Sequence, residues 1–142
     1  MKALITSLIL LLQLTCYSQI YKVEINKWSK FSHPKYLTLH QAIEQDSVKT
    51  EFTKIGTAQY TFNLNTKEIT LISQNEIKLS KIVKIIKTKS PINVDAIYND
   101  KFYNFVVAKN IDNKWSLIIR NFELENDRSV GYYSNDAKVI LK

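Results

Sequence analysis

The residues best suited to acid–base or metal chemistry are the two histidines. His33 and His40 lie seven positions apart, and Glu44 follows His40 by four. On a helix His40 and Glu44 would be neighbours, but a zinc site needs at least three protein ligands and a third is missing. His33 precedes Pro34 in a segment that we predict to be a loop. We therefore predict surface histidines, no metal site and no bound cofactor.

Motifs for nucleophilic or phosphate chemistry are also missing from the sequence. No Gly-x-Ser-x-Gly elbow occurs, and two isolated glycines, Gly56 and Gly131, do not make a phosphate-binding loop. Glu123, Glu125 and Asp127 lie beside a predicted turn, where a solvated run of charge is the ordinary interpretation. We predict no catalytic residues and a protein that is not an enzyme.

The only cysteine, Cys16, lies near the end of an export signal. Lys2 gives the positive start of such a signal, residues 3–14 form its largely apolar core, and small side chains precede a cleavage site after Ser18. The apolar run is shorter than the roughly 20 residues that cross a bilayer. We predict a signal peptide over residues 1–18, an exported protein (periplasmic or extracellular), and no transmembrane segment after cleavage.

Cys16 also allows a second interpretation, in which it is the lipidated first residue of a bacterial lipoprotein. That motif has Leu three positions before the cysteine and a small residue directly before it, whereas Gln13 and Thr15 take those places here. Lipid anchoring at Cys16 is therefore the alternative to cleavage. If the signal is removed, the mature chain has no cysteine and its core alone stabilises it.

Length and charge limit the domain organisation and the partners. The 142-residue chain leaves about 120 residues after the signal, enough for one domain but not two, so we predict a single domain over residues 19–142. Twenty basic and thirteen acidic residues give a net charge of +7. Such a surplus attracts anions, but a solubilising surface is the simpler explanation. We expect a monomer that binds no nucleic acid.

Alternating apolar residues in the segment 57–73 predict a β-hairpin. Period two is typical of strands with one buried face. A four-residue turn at 65–68 would place Phe62 opposite Leu71 and keep both apolar sets on one face. The alternating apolar residues are Ala58, Tyr60, Phe62, Leu64, Ile69 and Leu71.

The same pattern predicts an all-β fold, an antiparallel meander of about eight to ten strands that closes, fully or in part, into a barrel. Asn and Asp at 99–100 and 110–113 supply turns, because both tolerate left-handed backbone. The predicted strands cover residues 20–28, 49–55, 57–65, 68–74, 77–88, 92–99, 101–109, 114–124, 127–134 and 137–141, some of which are expected to be one bent strand.

Two segments have alternatives. In 77–88 the apolar residues also fit a basic amphipathic helix of the kind that lies on membranes, but the β-branched residues favour a strand with a solvated lysine face. In 38–47, Thr38 and Gln41 match a capping box, which predicts a short helix. An extended segment is the alternative there.

Strands 101–109 and 114–124 are apolar on both faces, so both faces need to be covered. One face would line the barrel interior, and the other would be covered by a terminus, a loop, a ligand or a partner. Inward aromatic and apolar side chains are the predicted ligand-binding residues, although the simpler interpretation is that they only fill the core. These residues are Tyr60, Phe62, Phe105, Trp115 and Leu117.

A signal peptide followed by hairpin phrases such as "YTFNLNTKEITL" and "RSVGYYSNDAKVIL" resembles small secreted lipocalin-like (calycin-type) all-β proteins of bacteria. The resemblance implies a secreted, non-enzymatic binding module with a small apolar ligand in a barrel pocket. The alternative is a secreted or periplasmic interaction protein, such as an inhibitor or envelope component. It would bind another envelope protein through exposed apolar and basic surface.

Overall fold

The alternating segments form eight antiparallel strands that close into a barrel. The computed structural model describes residues 19–141. Each strand pairs with the next along the chain, and the last pairs with the first, which confirms the all-β meander. The elements are β1 (Ile20–Pro34), α1 (Leu39–Glu44), β2 (Lys49–Asn63), β3 (Glu68–Ser73), β4 (Glu76–Ile85), β5 (Ile92–Tyr98), β6 (Lys101–Lys109), β7 (Trp115–Glu125) and β8 (Arg128–Leu141).

The signal peptide predicted at residues 1–18, with Cys16, lies outside the described residues and stays a prediction. Two pairs of predicted strands are each one strand. The predicted strands 49–55 and 57–65 join as β2, and 127–134 joins 137–141 as β8. Their alternation breaks at bulges, and a bulge bends a strand without ending it.

The first strand is longer than predicted, and this changes the position of His33. β1 continues past residue 28 to Pro34 through a register shift between Lys30 and Phe31, so His33 lies in a strand and is only 6% exposed. Its Nδ1 donates a hydrogen bond to the Pro34 carbonyl oxygen (3.0 Å), and its ring stacks on Phe31. The prediction of a loop and a surface histidine at this position is wrong.

The β2–β3 hairpin forms where predicted, but its register differs by two residues. Phe62 pairs with Ile69 rather than with Leu71, and the turn covers residues 64–67 rather than 65–68. Because the side-chain period of a strand is two, a shift of two residues leaves every apolar side chain on the same face. The predicted pairing is wrong, while the predicted inward face is correct.

The side chain of Asn63 explains this register. Its Oδ1 accepts hydrogen bonds from the backbone N–H groups of Asn65 and Thr66, both at 3.1 Å. Lys67 completes the turn with a left-handed φ of 58°. An Asn that bonds to the main chain two and three residues ahead starts a turn at its own position.

Asn and Asp make the other tight turns as the sequence predicts. Asn99 and Asp100 both have positive φ between the paired residues Tyr98 and Lys101. Two consecutive left-handed residues define the hairpin turn whose twist matches the flanking strands. The 110–113 turn is also confirmed, with Asn113 at φ 60°.

Strand β4 is extended rather than helical, as favoured, with Lys81 and Lys84 exposed, but at its start the faces are the reverse of the prediction. Lys78 pairs with the inward residue Leu71, so Lys78 points into the barrel, while Ile77 (73% exposed) and Leu79 (58% exposed) lie outside. The turn after Ser73 sets this register, because it fixes which residue of β4 opposes each residue of β3. The predicted solvated lysine face is wrong at Lys78.

The predicted short helix is confirmed as α1, which is shorter than the segment 38–47. The Thr38 Oγ1 accepts from the backbone N–H of Gln41 (3.2 Å), and the Gln41 Oε1 accepts from the backbone N–H of Thr38 (2.9 Å). This reciprocal pair satisfies two amides at the helix start. Ala42 is fully buried, which fixes the helix to the barrel.

One half of the barrel interior is filled by apolar side chains. We call these residues the packed half, and each is at most 1% exposed. Burial of such side chains is the main favourable contribution to folding. The packed half consists of Val23, Phe62, Ile82, Ile92, Val94, Ala96 and Val107.

The outer faces of β6 and β7 are covered in part by a polar network. Asn104 is buried there, donating to the Asp95 carboxylate (2.9 Å) and accepting from Arg120 Nη2 (2.7 Å). Phe102 and Phe122 remain about half exposed on the same face. The expectation that this face is fully covered is therefore wrong near its end.

Candidate functional site

Beyond the packed half, the interior opens into a cavity of about 420 Å³, which we call the main cavity. A second, side cavity of about 210 Å³ shares five lining residues with it. The two therefore form adjoining parts of one interior space. The shared residues are Tyr60, Leu71, Lys78, Ile119 and Tyr132.

The main cavity reaches the surface because β2 leaves β3 before β2 ends. The two strands pair only from Ala58 to Asn63, and residues 54–57 of β2 continue along β1 alone. This leaves a gap between residues 54–57 and residues 73–78, which we call the portal. Gly56 lies on its rim, where an added Cβ would have no atom within 4 Å.

Aromatic rings form much of the cavity wall. The Trp28 ring packs edge-on against Tyr132 at a centroid distance of 5.4 Å, and Tyr60 lies 6.2 Å from Phe105. Aliphatic side chains such as Leu117 complete the wall. The wall thus provides the apolar contact area that small-molecule sites use.

Hydroxyl groups interrupt this apolar wall. Burial raises the pKa of Tyr60 to about 12 and also raises the pKa of Tyr132. Both phenols are therefore neutral at physiological pH and can donate a hydrogen bond. The buried Ser134 Oγ has no hydrogen-bond partner among the described residues, and Ser134 lines the main cavity.

The charged groups that line the main cavity are both lysines. Lys54 lies on one rim of the portal and Lys78 on the other. The Lys54 Nζ lies 5.6 Å from the ring centroid of Trp28 and 5.5 Å from that of Phe52. The Lys78 Nζ lies 3.1 Å from a Glu76 oxygen, and this hydrogen bond raises the pKa of Lys78.

An ion cluster lies beyond Trp28 along β1. The Lys30 Nζ contacts Glu125 (2.6 Å) and Glu51 (3.1 Å), and hydrogen bonds to these two carboxylates raise the pKa of Lys30. Glu125 remains 47% exposed at the side chain, so the interpretation of the 123–127 acids as a solvated charge run holds, and the structure adds a lysine partner for Glu125. Its partner is 95 residues away in the sequence, so local sequence pattern does not reveal the pair.

The structure brings together three of the five predicted ligand-binding residues. Tyr60 lines both cavities, Phe105 lines the side cavity, and Leu117 lines the main cavity. Phe62 is fully buried against the Phe105 ring. Trp115 packs against the core beneath Lys109 and lines neither cavity. Ligand binding by these residues stays a prediction.

Most of the lining residues were not predicted from the sequence, and five of them supply the rings and polar groups described above. Trp28 follows a register shift between β1 and β2, and Tyr132 is one of two adjacent tyrosines, so alternation alone does not assign either to the interior. Lys54, Lys78 and Ser134 are polar and give no inward signal. The one sequence feature that could have identified Trp28 and Tyr132 as lining residues is the density of aromatic residues in β1 and β8.

The histidines lie away from the cavities. His40 and Glu44 are neighbours as predicted, with 3.1 Å between Nε2 and Oε1, but the pair lies on the exposed surface of α1. No group of three or more His, Cys, Asp or Glu residues within 19–141 is arranged to hold a metal ion. Over the same residues, no helix has the length and hydrophobicity that crossing a bilayer requires.

Comparison with known proteins adds no relative: no family model, no curated protein and no solved structure matches this chain.

Proposed function

We propose that this protein is an exported, non-enzymatic binding module, lipocalin-like in design, that holds a small apolar molecule in the main cavity. The observation that carries this proposal is the cavity itself, which is walled by Trp28, Tyr60, Leu117 and Tyr132 and opens at the portal. Its volume of about 420 Å³ lies within the range of roughly 300–1,000 Å³ that is typical of ligand sites.

The chemistry of the lining favours binding over catalysis. The residues that line the two cavities include Tyr, Trp, Ser, Lys and aliphatic side chains, but none of the described His, Asp or Glu residues. Those three types are common general bases. The lining supplies apolar contact and a few hydrogen-bond donors, which is what orientation and retention of a ligand require.

Ligand binding can be tested with the protein purified from its own host. Native mass spectrometry should show a co-purified small lipophilic species, and a panel of lipophiles should shift tryptophan fluorescence. Trp28 lines the main cavity and Trp115 does not, so Trp28→Phe should abolish the response and Trp115→Phe should retain it. Absence of both a bound species and a fluorescence response would contradict the proposal.

Export is the second part of the proposal, and its support is the sequence of residues 1–18. Intact mass spectrometry of the exported protein should give a chain that begins at Gln19, and Cys16→Ser should leave that mass unchanged. A chain that begins at a diacylglycerol-modified Cys16, and loses its membrane association in the variant, would instead establish the lipid-anchored alternative.

A second candidate function, an interaction protein of the envelope, is favoured by one surface. Ile72 and Ile77 pair on the outer face of β3 and β4, and Leu79 follows Ile77 on that face; all three are more than 40% exposed. Exposed apolar patches often mark partner sites. Crosslinking and pull-down from envelope extracts, with Ile77→Lys as the control, should then capture a partner. A monomer that captures nothing above background contradicts this function.

A further inference from the structure

We propose that the ligand is an amphipathic anion, with its charged group at the portal between Lys54 and Lys78 and its apolar part inside the main cavity. This inference rests on the proposed binding function and deepens it. It assigns a charge to the ligand and a role to two lysines.

The first support is the sign of the charge around the cavity. Lys54 and Lys78 occupy opposite rims of the portal, and none of the Asp or Glu residues between 19 and 141 lines either cavity. A cleft whose charged groups are all of one sign concentrates ions of the opposite sign. An anion is therefore attracted to the portal and a cation is repelled.

The second support is the position of Lys54. Its ammonium group lies over the rings of Trp28 and Phe52, and no carboxylate in the described chain lies within ion-pair distance of it. The rings hold the cation without neutralising it, since a cation–π contact leaves the net charge unchanged. A group held in place before binding loses less entropy when the ligand arrives.

The third support is that Lys78 can change partners. Its present partner, Glu76, is 67% exposed at the side chain, and the pair lies at the surface. A surface ion pair of this kind contributes at most about 1 kcal/mol. Lys78 can therefore leave Glu76 at little cost and contact a ligand anion that enters the portal.

The fourth support comes from within the cavity. The Ser134 hydroxyl is only 3% exposed and lacks a partner among residues 19–141. An unmet hydrogen bond of a buried polar group is unfavourable. Ser134 lines the main cavity, so rotation of its side chain toward the cavity would let a ligand oxygen satisfy the hydroxyl. A purely hydrocarbon ligand would leave this group unpaired, whereas an amphipathic ligand with oxygen atoms can contact it.

The test uses the mature chain and pairs of probes that differ only in the head group. Straight-chain carboxylates of 8 to 14 carbons, with the alcohol and the amine of each length, would compete with the neutral fluorescent probe N-phenyl-1-naphthylamine below their micellar concentrations. We expect the best carboxylate to bind about tenfold more tightly than its alcohol. The amine should bind most weakly, and added salt should reduce the preference for the carboxylate.

Matched variants assign this preference to the two lysines. Lys54→Met and Lys78→Met should each weaken carboxylate binding about threefold and leave alcohol binding unchanged. The double variant should bind acid and alcohol equally. Lys109→Met is the control, because Lys109 also lies over a ring, that of Trp115 at 5.3 Å, but does not line either cavity.

The outcomes separate this inference from the function on which it rests. If alcohols bind as tightly as carboxylates, or if Lys109→Met has the effect of Lys54→Met, the inference is wrong and the binding function stands. If no probe of any charge binds, both proposals fail. Alkyl sulfonates and alkyl phosphates in the same assay show whether the two lysines recognise the charge of the anion or the shape of a carboxylate.

Discussion

The two halves of the barrel interior are built by the same strands but hold different side chains. Along β1, Val23 belongs to the packed half, whereas Ile25 and Trp28 line the main cavity. Along β2, Phe62 belongs to the packed half and Tyr60 to the cavity. A single strand therefore serves stability at one end and the cavity at the other.

This difference shows how a small barrel can hold a cavity and remain stable. The packed half is filled by compact apolar side chains with no polar atoms to satisfy. The cavity half uses rings with polar tips, such as Tyr60 and Tyr132, which leave space beside them. Because core deletions cost more where surroundings are tightly packed, the two halves should respond differently to substitution.

The largest effect is expected in the packed half. Phe62→Ala should reduce the free energy of unfolding by about 3–5 kcal/mol, because the fully buried ring leaves a cavity behind. Tyr132→Phe, in the cavity half, should change it by less than about 1 kcal/mol. Urea unfolding followed by circular dichroism measures both. Equal losses in the two variants would show that the halves are not distinct.

Ionisation of Tyr60 at high pH is expected to reduce the free energy of unfolding by an intermediate amount. Its pKa is raised to about 12 in the folded protein by burial, against about 10 in the unfolded chain. Between these values the unfolded state loses the proton first, so the free energy of unfolding falls with rising pH. The loss should approach about 2–3 kcal/mol near pH 12 and should be negligible below pH 9 or so.

Tyr60→Phe provides the comparison for this pH dependence. The variant lacks the phenol, so its stability should fall less between about pH 10 and pH 12 than that of the parent chain. Urea unfolding at several pH values measures the difference. A parent and a variant with the same pH profile would mean that Tyr60 ionises as freely in the fold as in the unfolded chain.

The smallest expected change in the free energy of unfolding has the opposite sign, a gain rather than a loss. Ser134→Ala removes a buried hydroxyl that has no partner in the described chain, so the protein without ligand should be unchanged or more stable by up to about 1 kcal/mol. The same variant should bind oxygen-containing amphiphiles less tightly. A destabilised Ser134→Ala protein would show that the hydroxyl has a structural hydrogen bond and does not await a ligand.

The sequence predicted the parts of the fold that depend on local pattern. Alternation identified the strands, Asn99 and Asp100 identified a turn, and Thr38 with Gln41 identified the helix start. These features depend on residues that are close in the sequence. Fold class and most strand positions could therefore be predicted without the structure.

The site depends on features that local pattern does not contain. The register shift between β1 and β2 after Ile25 determines that Trp28 points inward, and the turn after Ser73 determines that Lys78 does. A change of one residue in the register at either place would turn Trp28 or Lys78 to the outer face of the barrel. The predicted residues Tyr60, Phe105 and Leu117 line a cavity because they lie on regular stretches of strand, where alternation is preserved.

The pairing of β1 with β8 affects how the barrel assembles. All the remaining strand pairs join strands that are consecutive in the sequence. Across β1 and β8, by contrast, the Arg128 Nε donates a hydrogen bond to the Ser32 Oγ (2.9 Å), and these two residues are 96 positions apart. Closing a loop of that length costs about 2 kcal/mol more in chain entropy than closing one a tenth as long. We expect the hairpins to form early and this seam to close last. The seam then sets the folding rate, and until it closes β1 and β8 expose unpaired edges.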